Sequence, residues 1–155
     1  MNTSPEQHQS IVASAIGKHA ATAGGLLPLL REVQDALGHI PQDQVPVIAR
    51  AMGLSRAEVH GVIGFYHDFS RQPRGRKVIQ LCRAEACQAM GARQLEAHAK
   101  QRLGIGYGET TADGRYTLEP VYCLGNCACS PSLRIDNDVH ARVDSRRFDQ
   151  LLEQD

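Results

Sequence analysis

The sequence has no tryptophan, and aromatic residues make up only 5% of it. A surface for single-stranded nucleic acid needs stacked aromatic rings along a basic groove, and this composition supplies neither. An excess of one charge is missing as well, because 17 lysines and arginines balance 17 aspartates and glutamates. Overall charge therefore gives no reason to expect nucleic acid or an anionic membrane as a partner. No apolar run approaches the roughly 20 residues that cross a bilayer, and Met1-Asn2-Thr3-Ser4-Pro5-Glu6-Gln7 lacks the basic and apolar segments of an export signal. The expectation is a cytoplasmic chain without membrane insertion. Five cysteines, an odd number, then point away from a disulfide framework and toward metal or redox chemistry.

The first half has helical periodicity with clear punctuation. Leu26, Leu29, Leu30, Val33 and Leu37 fall on one helical face, with Pro28 in the first turn and Gly38 past the end. A short helix is predicted from Val45 to Met52, stopped by Gly53. Ser55 and Glu58 have capping-box spacing, and an apolar stripe of Val59, Val62, Ile63, Tyr66 and Phe69 follows. With a weaker helix near Gln9 to His19, this predicts a small bundle. Ser70-Arg71-Gln72-Pro73-Arg74-Gly75-Arg76-Lys77 breaks the pattern and suits an exposed linker, or a basic docking patch.

Beyond the linker, strands and helices alternate. Val78 to Leu81 predicts a buried strand ending at Cys82, Gln88 to Leu103 a helix stopped by Gly104, and Tyr116 to Tyr122 a strand ending at Cys123. A hairpin is predicted from Leu133-Arg134-Ile135 through Asp136-Asn137-Asp138 to Val139–Val143, then a final helix from Ser145. This order is that of a thioredoxin-like sandwich, so the fold class is α/β.

Four cysteines form two pairs, Cys82 with Cys87 and Cys123 with Cys127, each placed where a predicted strand has just ended. A [2Fe–2S] cluster takes four thiolates, two on each iron, and two loops leaving strands can supply them. Structural zinc knuckles favour two residues between paired cysteines, whereas four and three separate these; a zinc-stabilised interaction module stays open as a second reading. A Cys-x-x-Cys dithiol is absent, although a redox pair of Cys127 with Cys129 stays open. Cys129 reads otherwise as a substitute ligand or a small buried filler. Pro131 suits either a cis or a trans turn.

Gly125 allows positive φ, which would turn backbone N–H groups toward the sulfurs. Arg83 and Glu85 flank the first pair with opposite charges. His60 and His67, seven residues apart, are predicted to share a helical face. Gly104-Ile105-Gly106-Tyr107-Gly108 follows a helix instead of linking a strand to one, the wrong context for a phosphate loop.

Gly64-Phe65-Tyr66-His67-Asp68-Phe69, the Cys-x4-Cys loop and Cys123-Leu124-Gly125-Asn126-Cys127 with Pro131 behind it carry a resemblance from about residue 10 onward. The chain resembles the thioredoxin-like [2Fe–2S] ferredoxins related to the 24 kDa subunit of respiratory complex I. The resemblance implies an N-terminal helical bundle over 1–72 that docks a partner and a thioredoxin-like [2Fe–2S] domain over 73–155. It implies one cluster on Cys82, Cys87, Cys123 and Cys127, and no catalytic residues in this chain. Tyr66-His67-Asp68-Phe69 and Cys82-Arg83-Ala84-Glu85-Ala86-Cys87-Gln88 are most similar to gamma subunits of soluble NAD-dependent molybdenum formate dehydrogenases. Subunits of complex I and of hydrogenase diaphorases are the competing relatives. The implied partners are a beta subunit carrying FMN, an NAD site and a [4Fe–4S] cluster, and a larger alpha subunit with molybdenum and iron–sulfur centres. Cys129 departs from the family pattern.

Overall fold

In the computed structural model, which describes residues 4–153, Ser4 starts the first helix. Its hydroxyl accepts from the Gln7 N–H (3.3 Å) and the Gln7 side chain accepts from the Ser4 N–H (2.9 Å), a reciprocal cap. Helix α1 (Pro5–His19) therefore begins several residues before the expected Gln9. Helix α2 (Leu26–Leu37) ends at Gly38 with φ +76°, and α3 (Val45–Met52) at Gly53 with φ +67°. Both are left-handed positions that favour glycine, and both ends agree with the sequence reading. Helix α4 (Arg56–Phe65) opens on the Ser55–Glu58 capping box.

The apolar stripe beyond α4 does not continue the helix, because Tyr66 is extended (ψ +105°). The Gln34 side chain takes over this segment, donating to Asp68 O and accepting from the Ser70 N–H, while the Ile40 N–H donates to Ser70 O. These helices bury Val12, Leu29, Leu30, Val33, Ile48 and Val59 in one core. A Ser55→Ala variant is expected to lose about 1 kcal/mol of stability, because the Glu58 N–H loses the hydroxyl that accepts from it; urea denaturation measures it.

The chain divides between Pro73 and Arg74 into two units. The second begins with β1 (Lys77–Cys82) and continues through α5 (Glu85–Ala89), α6 (Ala92–Leu103), β2 (Glu109–Thr110) and β3 (Tyr116–Val121). It ends with β4 (Leu133–Ile135), β5 (Asp138–His140) and α7 (Ser145–Glu153). The expected helix over Gln88–Leu103 is thus two helices, separated at Gly91, whose φ of +100° breaks the ladder. The hairpin's second strand is also shorter than expected. The two-residue β2 was not anticipated.

The five strands run in the order β2-β3-β1-β4-β5. Only β1 and β3 are parallel, in a register that sets Leu81 beside Pro120 and Cys82 beside Val121. Pro120 interrupts nothing, because its side of β3 faces β2, whose pairing stops at Leu118. Ile79, Leu81, Leu118, Leu133 and Phe148 build the core of this unit. By strand alternation Cys82 lies on the face opposite Ile79 and Leu81. A helical N-terminal region followed by a thioredoxin-like fold is the architecture expected from the sequence. Among the described residues no helix is long and apolar enough to cross a membrane.

Candidate metal centre

Parallel neighbouring strands deliver their following loops to the same sheet edge. Since β1 ends at Cys82 and β3 two residues before Cys123, both cysteine pairs emerge there side by side. Cys82 and Cys87 are buried, 3% and 2% exposed, and pack with Ala92, Ala84, Val121 and Leu124. Cys87 sits in the short helix α5. Cys123 and Cys127 are exposed.

Hydrogen bonds bind the loops together. The Cys82 N–H donates to Ser132 O (3.1 Å), and the Arg83 N–H to Val121 O (2.7 Å). The Cys87 thiol donates to Ser130 Oγ (3.5 Å), and the Ser130 hydroxyl donates to Cys127 O (2.8 Å). Asn126 Nδ2 donates to Ser132 Oγ (3.1 Å), whose hydroxyl donates to Cys129 O (3.2 Å). The Ser130–Pro131 peptide is cis. Sequence reasoning missed Ser130 and Ser132; their place in the second loop beside Pro131 was the available signal.

The electrostatics follow from this crowding. Burial pushes the Cys82 thiol up, and the adjacent Cys87 adds to it. Burial also pushes Cys87 up, but the Ser130 hydroxyl, the Ser132 N–H and the Cys82 thiol outweigh it and bring Cys87 below the usual thiol range. Cys123 raises Cys127 through like charge and a shared hydrogen bond, and Cys87 adds to this. Within each pair, two thiolates repel, and a bound cation removes that penalty. Among the described residues no three His, Cys, Asp or Glu side chains stand close enough together to hold a single metal ion. The thiol donors are two pairs of soft ligands, the type that iron–sulfur clusters take.

Gly125 has φ +73°, and its N–H donates to Cys123 Sγ at 3.3 Å, the role anticipated for it. Cys129 is half-buried instead of enclosed, and its backbone is held by Asn126, Ser132 and Arg142. His60 and His67 do not share a helical face, since α4 has already ended at Phe65. His98 pairs with Asp149 (2.9 Å). Gly104 ends α6 and the Gly108 N–H donates to Leu118 O, so this glycine segment leads into β2. Glu96 and Tyr107, which meet Arg83, had no sequence signal.

The family described as thioredoxin-like [2Fe–2S] ferredoxin matches residues 12–154. The chain belongs to the thioredoxin-like [2Fe–2S] ferredoxin family. As a family member it is an electron-transfer protein of this type, and the family implies a [2Fe–2S] cluster. This ferredoxin is 42% identical over 124 residues to an NADH-quinone oxidoreductase subunit of Pseudomonas aeruginosa, spanning 80% of this chain and 75% of the relative. The corresponding NADH-quinone oxidoreductase subunit of Rhizobium meliloti is 34% identical over 142 residues, 92% of this chain and 84% of the relative. Among solved structures, an NAD+-reducing [NiFe]-hydrogenase in the H2-reduced state superposes with a TM-score of 0.72 at 27% identity. That match covers 86% of this ferredoxin but only 22% of the hydrogenase chain.

Proposed function

We propose that Cys82, Cys87, Cys123 and Cys127 hold one [2Fe–2S] cluster that exchanges single electrons with the flavin of an NAD-binding partner. The observation that carries this reading is the delivery of two thiol pairs side by side by parallel strands, in a chain of this family. When bound, such a cluster supplies one-electron redox chemistry. The chain's own residues hold and shield it. Ala84, Val121 and Leu124 keep water from the Cys82–Cys87 side, while the exposed Cys123 and Cys127 leave the other side near the surface for electron exchange. The Gly125 N–H would stabilise the Cys123 sulfur, and the Ser132 N–H would do the same for Cys87.

The N-terminal helices are the docking surface for the FMN- and NAD-binding subunit in this reading, which also carries the [4Fe–4S] cluster. The parent complex is a cytoplasmic NAD-dependent formate dehydrogenase with a molybdenum-containing large subunit. Support comes from Tyr66-His67-Asp68-Phe69 and from the Cys82–Gln88 loop. Identity of 42% to a component of NADH-quinone oxidoreductase favours a second reading, the equivalent place in a quinone-reducing complex.

Anaerobic purification of the full chain tests the cluster assignment. About two irons and two sulfides per chain are expected, with an EPR signal only after dithionite reduction. Stoichiometric zinc and no sulfide would overturn it. Co-purification with the tagged chain tests the complex: NAD-dependent formate oxidation by the captured assembly supports the first reading, and quinone reduction without it supports the second.

A further inference from the structure

Arg83 is the first residue beyond β1 and follows Cys82 directly. Its N–H donates to Val121 O (2.7 Å), and its carbonyl accepts from Gln88 Nε2 (2.7 Å), so its backbone is fixed at both ends. Its side chain is fixed as well. Nε stands 3.1 Å from Glu96 Oε2, and the guanidinium carbon lies 5.5 Å from the centre of the Tyr107 ring. Lys100 approaches the same two groups, 2.6 Å from Glu96 Oε1 and 4.3 Å from the Tyr107 ring centre.

The charge state of this group follows from its packing. Burial pushes the Glu96 carboxyl up, but the hydrogen bond and charge of Lys100 and the charge of Arg83 outweigh it, so Glu96 is ionised at neutral pH. Burial and Glu96 push the Tyr107 hydroxyl well up, and it stays neutral. That hydroxyl is buried without a hydrogen bond of good geometry, although Glu96 lies near enough to act on it. Two cations thus face one carboxylate and one neutral ring, leaving a net positive charge on the group anchored by Arg83, the residue that follows Cys82 in the chain. Glu85, the opposite charge flanking the same loop, is exposed and screened by water.

We propose that Arg83, held by Glu96 and Tyr107, is a positioning residue that raises the reduction potential of the centre carried by Cys82 and Cys87. The inference rests on the cluster assignment above. Adding an electron to an all-thiolate centre increases its negative charge, and a nearby fixed cation stabilises the reduced state more than the oxidised one. A mobile cation would lose part of this effect to the entropy of its own ordering, whereas Arg83 is ordered already.

EPR-monitored redox titration of the full chain tests it with Arg83→Gln, Arg83→Lys and Glu85→Gln. Arg83→Gln is expected to shift the one-electron equilibrium about fivefold toward the oxidised form, roughly 40 mV lower in potential. Arg83→Lys, which keeps the charge, and Glu85→Gln are expected to stay within about twofold of the parent, roughly 18 mV. A shift within that limit for Arg83→Gln, or equal shifts for Gln and Lys, would overturn the proposal. So would a Gln variant that fails to bind iron and sulfide while the Lys variant binds both, since Arg83 would then serve assembly. A parent chain without iron and sulfide refutes the cluster assignment itself, and that result is visible before any potential is measured.

Discussion

A Cys87→Ala variant, purified anaerobically, is expected to retain less than about a tenth of the iron and sulfide of the parent chain. Cys87 is 2% exposed, rests in α5 and donates to Ser130 Oγ, which in turn donates to Cys127 O. Removing its sulfur takes one of two donors from the enclosed pair and leaves Ser130 without the thiol it accepts from. No other thiol is positioned to replace it, since Cys82 is already the other donor of that pair and the remaining cysteines belong to the second loop. Cys129→Ser is the contrasting variant and should keep the full complement. Its backbone carries the structural contacts, accepting at O from Ser132 Oγ and from the Arg142 N–H, and serine preserves both. Iron and sulfide assays on these two variants and on Cys127→Ser decide the ligand set. Loss of iron from Cys129→Ser, with retention in Cys127→Ser, would move the fourth ligand to residue 129.

The pairs were legible because each cysteine loop directly follows a run of strand-forming residues, and a spacing is a local property. Helix ends marked by glycine were legible for the same reason: Gly38, Gly53 and Gly104 all occupy left-handed caps. The start of α1 was equally local, a Ser4-x-x-Gln7 box that the weak periodicity of the helix obscured. The end of α4 was not local. Tyr66 and Phe69 continue the helical spacing, yet Gln34 and Ile40, about thirty residues earlier, bind the 68–70 backbone in a different path. Gly91 is a case between the two, a visible glycine inside a periodic run whose break is made by its φ of +100°. The long-range contacts that tune the site were hidden for the same reason as the α4 end. Ser130 and Ser132 sit in the second loop and bond locally to Cys127 O and Cys129 O, and only their contacts to Cys87 and Cys82 in the first loop are long-range. Glu96 and Tyr107 lie on other elements and reach Arg83 only through the packing of the sheet and α6.

That packing depends on one side chain above its neighbours. Phe148→Ala is expected to destabilise the second unit by about 3–5 kcal/mol, the range for removing a large aromatic from an enclosed core. Phe148 is fully buried and is, with Leu151 and Leu152, the apolar face of α7; its ring meets His98 of α6 edge-on at 6.0 Å between centres. The same core holds Ile79 and Leu81 of β1 and Leu118 of β3, the strands whose ends set the two cysteine loops side by side. A cavity there loosens the ladder that fixes the loops' separation before it changes any ligand. Amide hydrogen exchange measures the effect where it acts. The slowest amides of β1 and β3 should exchange about 100-fold faster or more, given a factor of ten for each 1.4 kcal/mol. Those of α2, whose core is built from other residues, should keep their rates. An increase of less than about tenfold in β1 and β3 would mean that the surrounding leucines close the space, and that the loops do not depend on Phe148 for their alignment.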